Sequence, residues 1–485
     1  MAVNPMHHFA LRSGAKTLAC AAAFWVAAAS GQNPSSALNP FFGSVTAHPA
    51  TDETLMLSLD DAVRRGLDNN LGLREAESGE TALHGERNQA LQGFLPTITL
   101  TGATGVYEHN LAAEGFGPGV IAKFATLFPS GQFPGGMSLI TKDDLTEGRV
   151  HYSQTLFSGP VIAGWRAAGA AERAAHFAKM TARGEVVQQV ATAYLHAIAA
   201  SSEVDNAKAL VAESQVQFDH AHAAHEAGTA ANLDELRAKV ELQSQQQALI
   251  YAQNAYEKDL ILLKREIGVA PGQKIALTDP APYSDLAEQT PEEVRAIAYK
   301  SRQDYQNLQN QAVAYKAIHA SYRSQRYPTL RFDSYYGTST VNGAGTRGDF
   351  LAMGSLSVPI FREASLRGDE DASQAQVEAV NAQLADLTNL IDKQVRSALL
   401  DVNASHRLVD VARSNVELAT RALSDETDRV NAGVDDNLPL VTAQTALASA
   451  ENNQVESLYR YNLSKLALAR AAGVLEQQYR DYLGK

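Results

Sequence analysis

The chain has 485 residues, one cysteine, and a formal net charge of −13 from 41 basic and 54 acidic side chains. A chain this acidic is a poor candidate for binding nucleic acid, because phosphates require basic patches. The single cysteine, Cys20, has no partner within the chain, so intramolecular disulfide bonds are excluded.

The N-terminus has the pattern of a secretory signal peptide. Arg12 and Lys16 precede the apolar run Leu18–Ala29, and small residues follow it at a candidate cleavage site. About a dozen apolar residues are too few to span a bilayer as a helix, and no apolar run of about 18 residues follows. We predict a signal peptide over 1–30, an N-terminal linker over 31–56, and no transmembrane helix.

The rest of the chain contains the same pattern of residues twice. The helix-capping pair Ser58 and Asp61 matches Thr290 and Glu293 at an offset of 232 residues. At an offset of 205 residues, the matches include Ala227–Gly228 with Ala432–Gly433, Asn232–Leu233 with Asn437–Leu438, and Gly268–Val269 with Gly473–Val474. A period this long indicates a duplicated domain-sized unit, because solenoid repeats are only about 20–50 residues long.

Each unit is predicted to contain a broken opening helix, two strands, a long helix and a shorter returning helix. The first unit, 57–268, has its helices over 58–94, strands over 96–107 and 149–157, a long helix over 161–226 and a returning helix over 232–267. The second unit, 290–474, has its helices over 290–326, strands over 328–338 and 349–361, a long helix over 365–431 and a returning helix over 437–472. A linker over 269–289 joins the units, and a tail over 475–485 follows them.

The predicted strands are amphipathic. In the first unit isoleucine and leucine alternate with threonine, and in the second Leu330 and Phe332 alternate with Arg331 and Asp333. Period-two alternation predicts a strand with one apolar and one polar face. If the apolar face contacts lipid, Arg331 and Asp333 line the lumen of a membrane barrel, where polar side chains are normal.

The predicted long helices set the architecture. At about 1.5 Å per residue each is roughly 100 Å long, whereas helices in globular domains average about 11 residues. Such a rod can lie beside a lane made of two shorter helices stacked end to end, the opening helix and the returning helix. Two units therefore give four helical lanes per chain.

Four strands cannot close a barrel, since the smallest membrane barrels have about eight. An open sheet edge in lipid leaves backbone groups unpaired at several kcal/mol each. Three copies supply twelve strands and twelve helical lanes. We therefore predict an α+β membrane protein in which a duplicated unit, a strand pair plus a long helical hairpin, trimerises into a twelve-strand β-barrel continuous with a twelve-helix α-barrel.

Several short motifs, in this order and duplicated, resemble the TolC family of outer-membrane efflux proteins. They are the opening Leu57–Val63 with Asp68–Leu71, the strand ends Leu156–Gly159 and Pro359–Phe361, and the turn Ala227–Gly228 followed by Leu233–Asp234 and Ala238. The resemblance covers about 55–475. It implies a homotrimeric, TolC-like channel in outer-membrane lipid, with a tunnel across the periplasm that docks on a periplasmic adaptor and an inner-membrane transporter.

The two glycine turns are predicted to form the periplasmic tips of the tunnel. Gly228 and Gly433 occupy the same position in both units, and glycine allows the left-handed backbone at which helices commonly end. We expect Gly228, Thr229, Gly433 and Val434 to contact the adaptor. A purely structural helix stop is the alternative interpretation.

The turns also carry carboxylates, and rings of aspartate or glutamate select cations. Asp234, Asp435 and Asp436 are candidates for an acidic entrance constriction, although exposed turns also simply tolerate aspartate. The resemblance implies a basic residue shortly after the second glycine and an acid at Pro439, and this sequence has neither. Of the acidic positions in that ionic latch, only Asp234 matches.

No catalytic motif is present, with neither a phosphate-binding glycine loop nor a metalloprotease, serine-hydrolase or dithiol signature. The sequence therefore predicts no enzyme, no cofactor and no metal. His220, His222 and His225 cluster before the first turn. They are either solvated or adaptor-contacting residues, or metal ligands.

The predicted function is a passive exit duct for a tripartite efflux or type I secretion system. The alternative is a periplasmic coiled-coil adaptor or structural protein without a pore.

Overall fold

A computed structural model describes residues 39–45, 49–110, 123, 140–229, 231–280, 282–342, 345–432 and 437–484. The predicted signal peptide lies outside these ranges. So do the four residues of the second tip, Gly433, Val434, Asp435 and Asp436.

The elements follow one another in the duplicated order. The first unit contains β1 (Leu55–Leu57), α1 (Leu59–Asn69), α2 (Leu71–Gln92), β2 (Thr97–Asn110), β3 (Ile140–Phe157), α3 (Gly159–Glu226) and α4 (Asn232–Glu266). The second contains β4 (Ile275–Leu277), α5 (Pro291–Ser301), α6 (Gln303–Ser324), β5 (Thr329–Val341), β6 (Arg347–Ser357), α7 (Glu363–Asn431), α8 (Asn437–Ala472) and α9 (Leu475–Leu483). A short 3₁₀ helix, Pro40–Phe42, precedes them.

Local capping explains where each opening helix begins and breaks. Ser58 Oγ accepts a hydrogen bond from Asp61 N at the start of α1, and Thr290 forms a complete capping box with Glu293 at the start of α5. The breaks lie at Asn70 and Arg302, whose backbones are extended, so each opening helix is two segments.

The sheet has the order β2-β3-β5-β6 and is antiparallel throughout. Strand β3 begins at Ile140, well before the predicted start at 149, and its residues 140–153 pair with the whole of β2. Residues 140–148 carry polar side chains toward both faces, so no alternation reveals this part of the strand. Strand β6 ends at Ser357, short of the predicted 361, because Pro359 soon follows and has no N–H to donate.

The four helical lanes lie side by side. Helix α3 contacts α1, α2 and α4 on one side and α6 and α8 on the other, and α7 contacts α6 and α8. The shorter helices meet end to end. Asn69 Nδ2 donates to Ile267 O at 3.3 Å, where α4 reaches the break between α1 and α2. Gly473, at the end of α8, lies against Arg302 at the break between α5 and α6.

The main hydrophobic core lies at these joints and includes elements that the sequence analysis did not assign. Strand β1 pairs in parallel with β4, which lies in the linker between the units, and α9 lies in the predicted tail. Three-residue strands are too short to show a period. Tyr194 of α3 is fully buried, and its hydroxyl lies 2.9 Å from Leu57 O and 3.0 Å from Asp279 Oδ2.

The second part of the linker crosses α8. Lys465 is completely buried, and its Nζ donates to Ser284 O at 3.2 Å above the ring of Tyr461. Burial lowers the pKa of Lys465 to about 8. Asn462 Nδ2 donates to Pro282 O at 2.8 Å, so these contacts hold the linker on the second unit.

Two glycines with left-handed backbones provide a matched test of the joint. Gly228 has φ +71° in open space, whereas Gly473 has φ +76° and an added Cβ would lie 2.7 Å from Arg302 N. We expect Gly228→Ala to cost about 1–2 kcal/mol and Gly473→Ala roughly 2–5 kcal/mol, because the latter must also displace backbone. Thermal unfolding followed by circular dichroism measures the difference. Equal shifts in Tm would show that the joint is not tightly packed.

Candidate functional site

In the half of the sheet next to the helices, the register gives one apolar and one polar face. Ile98, Leu100, Val150, Leu330, Phe350 and Leu356 lie on the apolar face, and all are exposed in the single chain. Leu100 is 80% exposed and Phe350 is 76% exposed. A contiguous exposed apolar surface on a sheet this long indicates contact with lipid or another protein.

The predicted lumen residues lie together on the polar face. Arg331 Nε donates to Asp333 Oδ1 at 3.0 Å, and both side chains are partly exposed. Ser355 lies opposite Arg331 on β6, and Ser153 lies opposite Asp333 on β3. The polar face therefore continues across neighbouring strands.

The polar face also holds a charged cluster that the sequence analysis missed. An Arg149 guanidinium nitrogen lies 3.1 Å from Asp349 and 2.9 Å from Glu147, and the guanidinium lies over the ring of Tyr335 at 4.9 Å. His151 Nε2 is 3.0 Å from Thr101 Oγ1. The alternation of Arg149, His151 and Ser153 with Val150 and Tyr152 was the signal available in the sequence.

Both outer edges of the sheet are unpaired within the described residues. Strand β2 pairs only with β3, and β6 pairs only with β5. Each edge presents a row of backbone N–H and C=O groups along a strand of more than ten residues. These groups need partners if the apolar face is in lipid.

The first helical tip has the backbone expected of a glycine turn. Gly228 N donates to His225 O at 2.9 Å, and the Thr229 amide and hydroxyl both donate to Ala224 O at 2.9 Å. Gly228 and Thr229 are exposed, so another molecule can contact them. The equivalent pair Gly433 and Val434 lies outside the described residues.

The carboxylates of the first tip have basic partners. Asp234 Oδ1 lies 3.5 Å from Arg237, and Glu235 Oε1 lies 2.9 Å from His222 Nδ1. The hydrogen bond to Glu235, followed by the charge of Glu226, raises the pKa of His222. Asp234 therefore lies at the first tip, beside a cation. Asp435 and Asp436 lie outside the described residues.

Two further observations concern the whole of the described chain. Within the described ranges, no helix combines the length and apolarity needed to cross a membrane. Among the same residues there is no group of three or more histidine, cysteine, aspartate or glutamate side chains arranged to hold a metal ion.

Comparison with known proteins gives a family, two relatives and a fold. The Outer membrane efflux protein family matches 62–269 and 297–474. Outer membrane protein TolC of Vibrio cholerae is 25% identical over 354 residues, 70% of this chain and 78% of that protein. TolC of Escherichia coli is 25% identical over 151 residues, which span only 31% of that protein and 30% of this chain. The solved outer-membrane channel OprN has a TM-score of 0.70 at 18% identity, covering 86% of this chain and 89% of OprN, a likeness of fold.

The His222–Glu235 contact makes the first tip sensitive to pH. Because the pKa of His222 is raised above its ordinary value of about 6.5, its stabilisation is complete below that value and is lost as pH rises through the higher, folded pKa. We expect hydrogen exchange in 216–240, corrected for intrinsic rates, to be faster at pH 8.5 than at pH 6.

The matched variants for this experiment are His222→Gln and His84→Gln. The first should weaken the pH dependence of exchange at the tip, where His225 Nε2 also lies 3.8 Å from Glu235. The second removes an imidazole that contacts Glu172 far from the tip, and should leave that dependence intact. A pH dependence undiminished by His222→Gln would contradict the assignment.

Proposed function

The chain belongs to the outer membrane efflux protein family and is an outer-membrane efflux channel, and we propose that it is the passive exit duct of a tripartite efflux or type I secretion system. The resemblance predicted from the sequence is therefore confirmed, as is the location in the outer membrane. The related proteins are TolC-type channels and not enzymes. The observation that carries the proposal is the sheet, with one lipid-compatible face and one charged face, continuing into helical lanes of about 100 Å.

The sheet edges support a homotrimer. Pairing β6 of one copy with β2 of the next satisfies both open edges, and three copies supply twelve strands. The apolar face then contacts outer-membrane lipid. Arg331 and Asp333, with the Arg149 cluster, then line the lumen.

The outer lanes support the same assembly. The lane of α2 and α4 forms one side of the protomer and α7 forms the other. Both carry exposed apolar side chains, namely Val240, Ile250 and Tyr251 on α4 and Leu400, Val411 and Leu418 on α7. Packing α7 of one copy on α4 of the next buries them and closes a tube of twelve lanes.

The tips are the proposed contact for a periplasmic adaptor, which links the duct to an inner-membrane transporter. Gly228 and Thr229 are exposed at the end of the α3–α4 hairpin, and Gly433 and Val434 are their equivalents in the sequence of the second unit. The duct needs no energy source of its own, because the transporter supplies it.

The acidic constriction is proposed to depend mainly on the second tip. Asp234 has Arg237 nearby and Glu235 has His222, so the first tip contributes little net negative charge. Asp435 and Asp436 from three copies would place six carboxylates around the entrance. Such a ring attracts cations.

Single-channel conductance in planar lipid bilayers tests the duct. We expect discrete, cation-selective pores, and we expect Asp435→Asn/Asp436→Asn to lower the cation-to-anion permeability ratio at least about twofold. Asp371→Asn, an exposed carboxylate near the start of α7, is the control and should change little. Pores insensitive to the double variant would reject the constriction alone. A folded trimer without pores would favour an adaptor or structural role.

The seam between copies is tested by placing a charge within it. Leu400→Asp on α7 or Val240→Asp on α4 should shift the protein from SDS-resistant trimer to monomer, because each replaces roughly 1.5–3 kcal/mol of apolar burial with a buried carboxylate. Asn403→Asp places the same charge at an exposed position of α7 that is already polar, and should leave the trimer intact. If all three variants remain trimeric, the seam does not lie on these faces.

A further inference from the structure

An arginine-rich groove lies between α2, α3 and α6 just below the sheet. Its volume is about 320 Å³, and its lining includes Arg87 of α2, Trp165, Arg166 and Arg173 of α3, and Val313 of α6. Gly169 forms part of its wall between two arginines, where an ideal Cβ would lie 3.8 Å from Arg173 Nη1 and 3.9 Å from Arg87 Nε. The absence of a side chain at Gly169 therefore keeps the groove open.

The groove lies on the same side of the protein as the apolar face of the sheet. Trp165 packs edge-on against Phe94 with ring centroids 6.2 Å apart. The carbonyl of Phe94 accepts a hydrogen bond of 3.0 Å from Gln154 Nε2, and Gln154 shares the apolar face with Val150 and Tyr152. The groove is therefore at the foot of the lipid-facing surface and not in the lumen.

The groove begins within a few ångströms of the headgroup layer. Trp165 lies six residues into α3, about 9 Å below the strands, and the headgroup layer extends about 5–7 Å beyond the hydrocarbon core. Long arginine side chains reach several ångströms further toward the interface. Tryptophan itself is enriched at this level of membrane proteins.

The groove carries a net positive charge. Arg87 lies 2.8 Å from Glu172, and the same carboxylate contacts His84 at 2.6 Å. Arg173 Nε donates to Asn310 Oδ1 at 3.1 Å. Among the described residues, no carboxylate lies within salt-bridge distance of Arg166, which is exposed. Three arginines thus face one glutamate, and Arg166 has its full set of donors available.

We propose that this groove binds the phosphate headgroup of an anionic phospholipid in the leaflet at the foot of the sheet. Arg166 and Arg87 donate to phosphate oxygens, for which the planar guanidinium is suited, and the Trp165 ring contacts the glycerol and upper acyl region. The groove lies between α2, α3 and α6, and the proposed seam runs along the opposite side of the α2–α4 lane, so trimer closure leaves it accessible. This inference rests on the proposed placement of the sheet in the membrane.

Fluorescence quenching in vesicles provides the test, because the chain has only two tryptophans and Trp25 lies in the predicted signal peptide. The full protein is reconstituted with brominated phosphatidylglycerol or with brominated phosphatidylcholine of the same acyl chains. A Trp165→Phe variant supplies the background. We expect stronger quenching of Trp165 by the anionic lipid, and the preference should persist in excess inorganic phosphate, since the acyl chains hold the headgroup at the site.

Substitutions at Arg166 and Gly169 test the charge and the shape of the groove separately. Arg166→Gln should lower the headgroup preference about fivefold, the factor expected for one arginine beside an anionic leaflet, and Arg166→Lys should restore part of it. Gly169→Leu should block the groove without changing charge. Arg407→Gln, far from the sheet, and Gly164→Leu, on the same helix in open space, are the matched controls and should behave as wild type.

Equal quenching by both lipids, or a preference unchanged in Arg166→Gln and Gly169→Leu, would overturn the phosphate site and leave the membrane placement intact. Loss of the preference in inorganic phosphate would show that the site holds a free anion and not a lipid. Quenching by neither lipid would place Trp165 away from the bilayer and contradict the membrane placement itself.

Discussion

The unsatisfied backbone groups at the two edges of the sheet are the constraint on which the rest of the structure depends. In lipid, every N–H and C=O must find a partner, and four strands of one chain cannot supply partners for β2 and β6. In the proposed trimer, the edges of neighbouring copies supply these partners. The helices also need neighbouring copies, because each strand leads directly into or out of a lane and the outer lanes have apolar side chains that remain exposed in the single chain.

The joints between stacked helices hold the lanes in register with the sheet. A lane made of two helices is interrupted at mid-height, and both interruptions are filled by tight contacts, Asn69 with Ile267 O and Gly473 with Arg302. The main core surrounds this level, where β1, β4 and α9 add apolar side chains and where Tyr194 links α3 to the chain before α1. The main core therefore lies where the lanes are broken.

Helix caps and turns could be predicted from the sequence because they depend on neighbouring residues, whereas contacts between residues distant in the sequence could not. Ser58, Thr290 and Gly228 are capping and turn residues whose roles follow from their neighbours, and the duplicated spacing gave the order of elements. The start of β3 at Ile140 could not be predicted, because residues 140–148 show no alternation of polar and apolar side chains. Only their pairing with β2 identifies them as a strand. The contacts of Arg149 could not be predicted either, because its partners belong to three strands. The contact of His222 with Glu235 depends on the hairpin that brings α3 and α4 together.

The two open edges belong to the same polypeptide, and this has a genetic consequence. In the proposed trimer, a copy with a defective β6 still has an intact β2, so it can join two normal copies and leave the ring open at one seam. Lesions at the sheet edges should therefore be dominant when mutant and normal alleles are expressed together. Lesions that prevent folding of the joint, such as those around Gly473, should be recessive, because an unfolded chain never reaches the assembly.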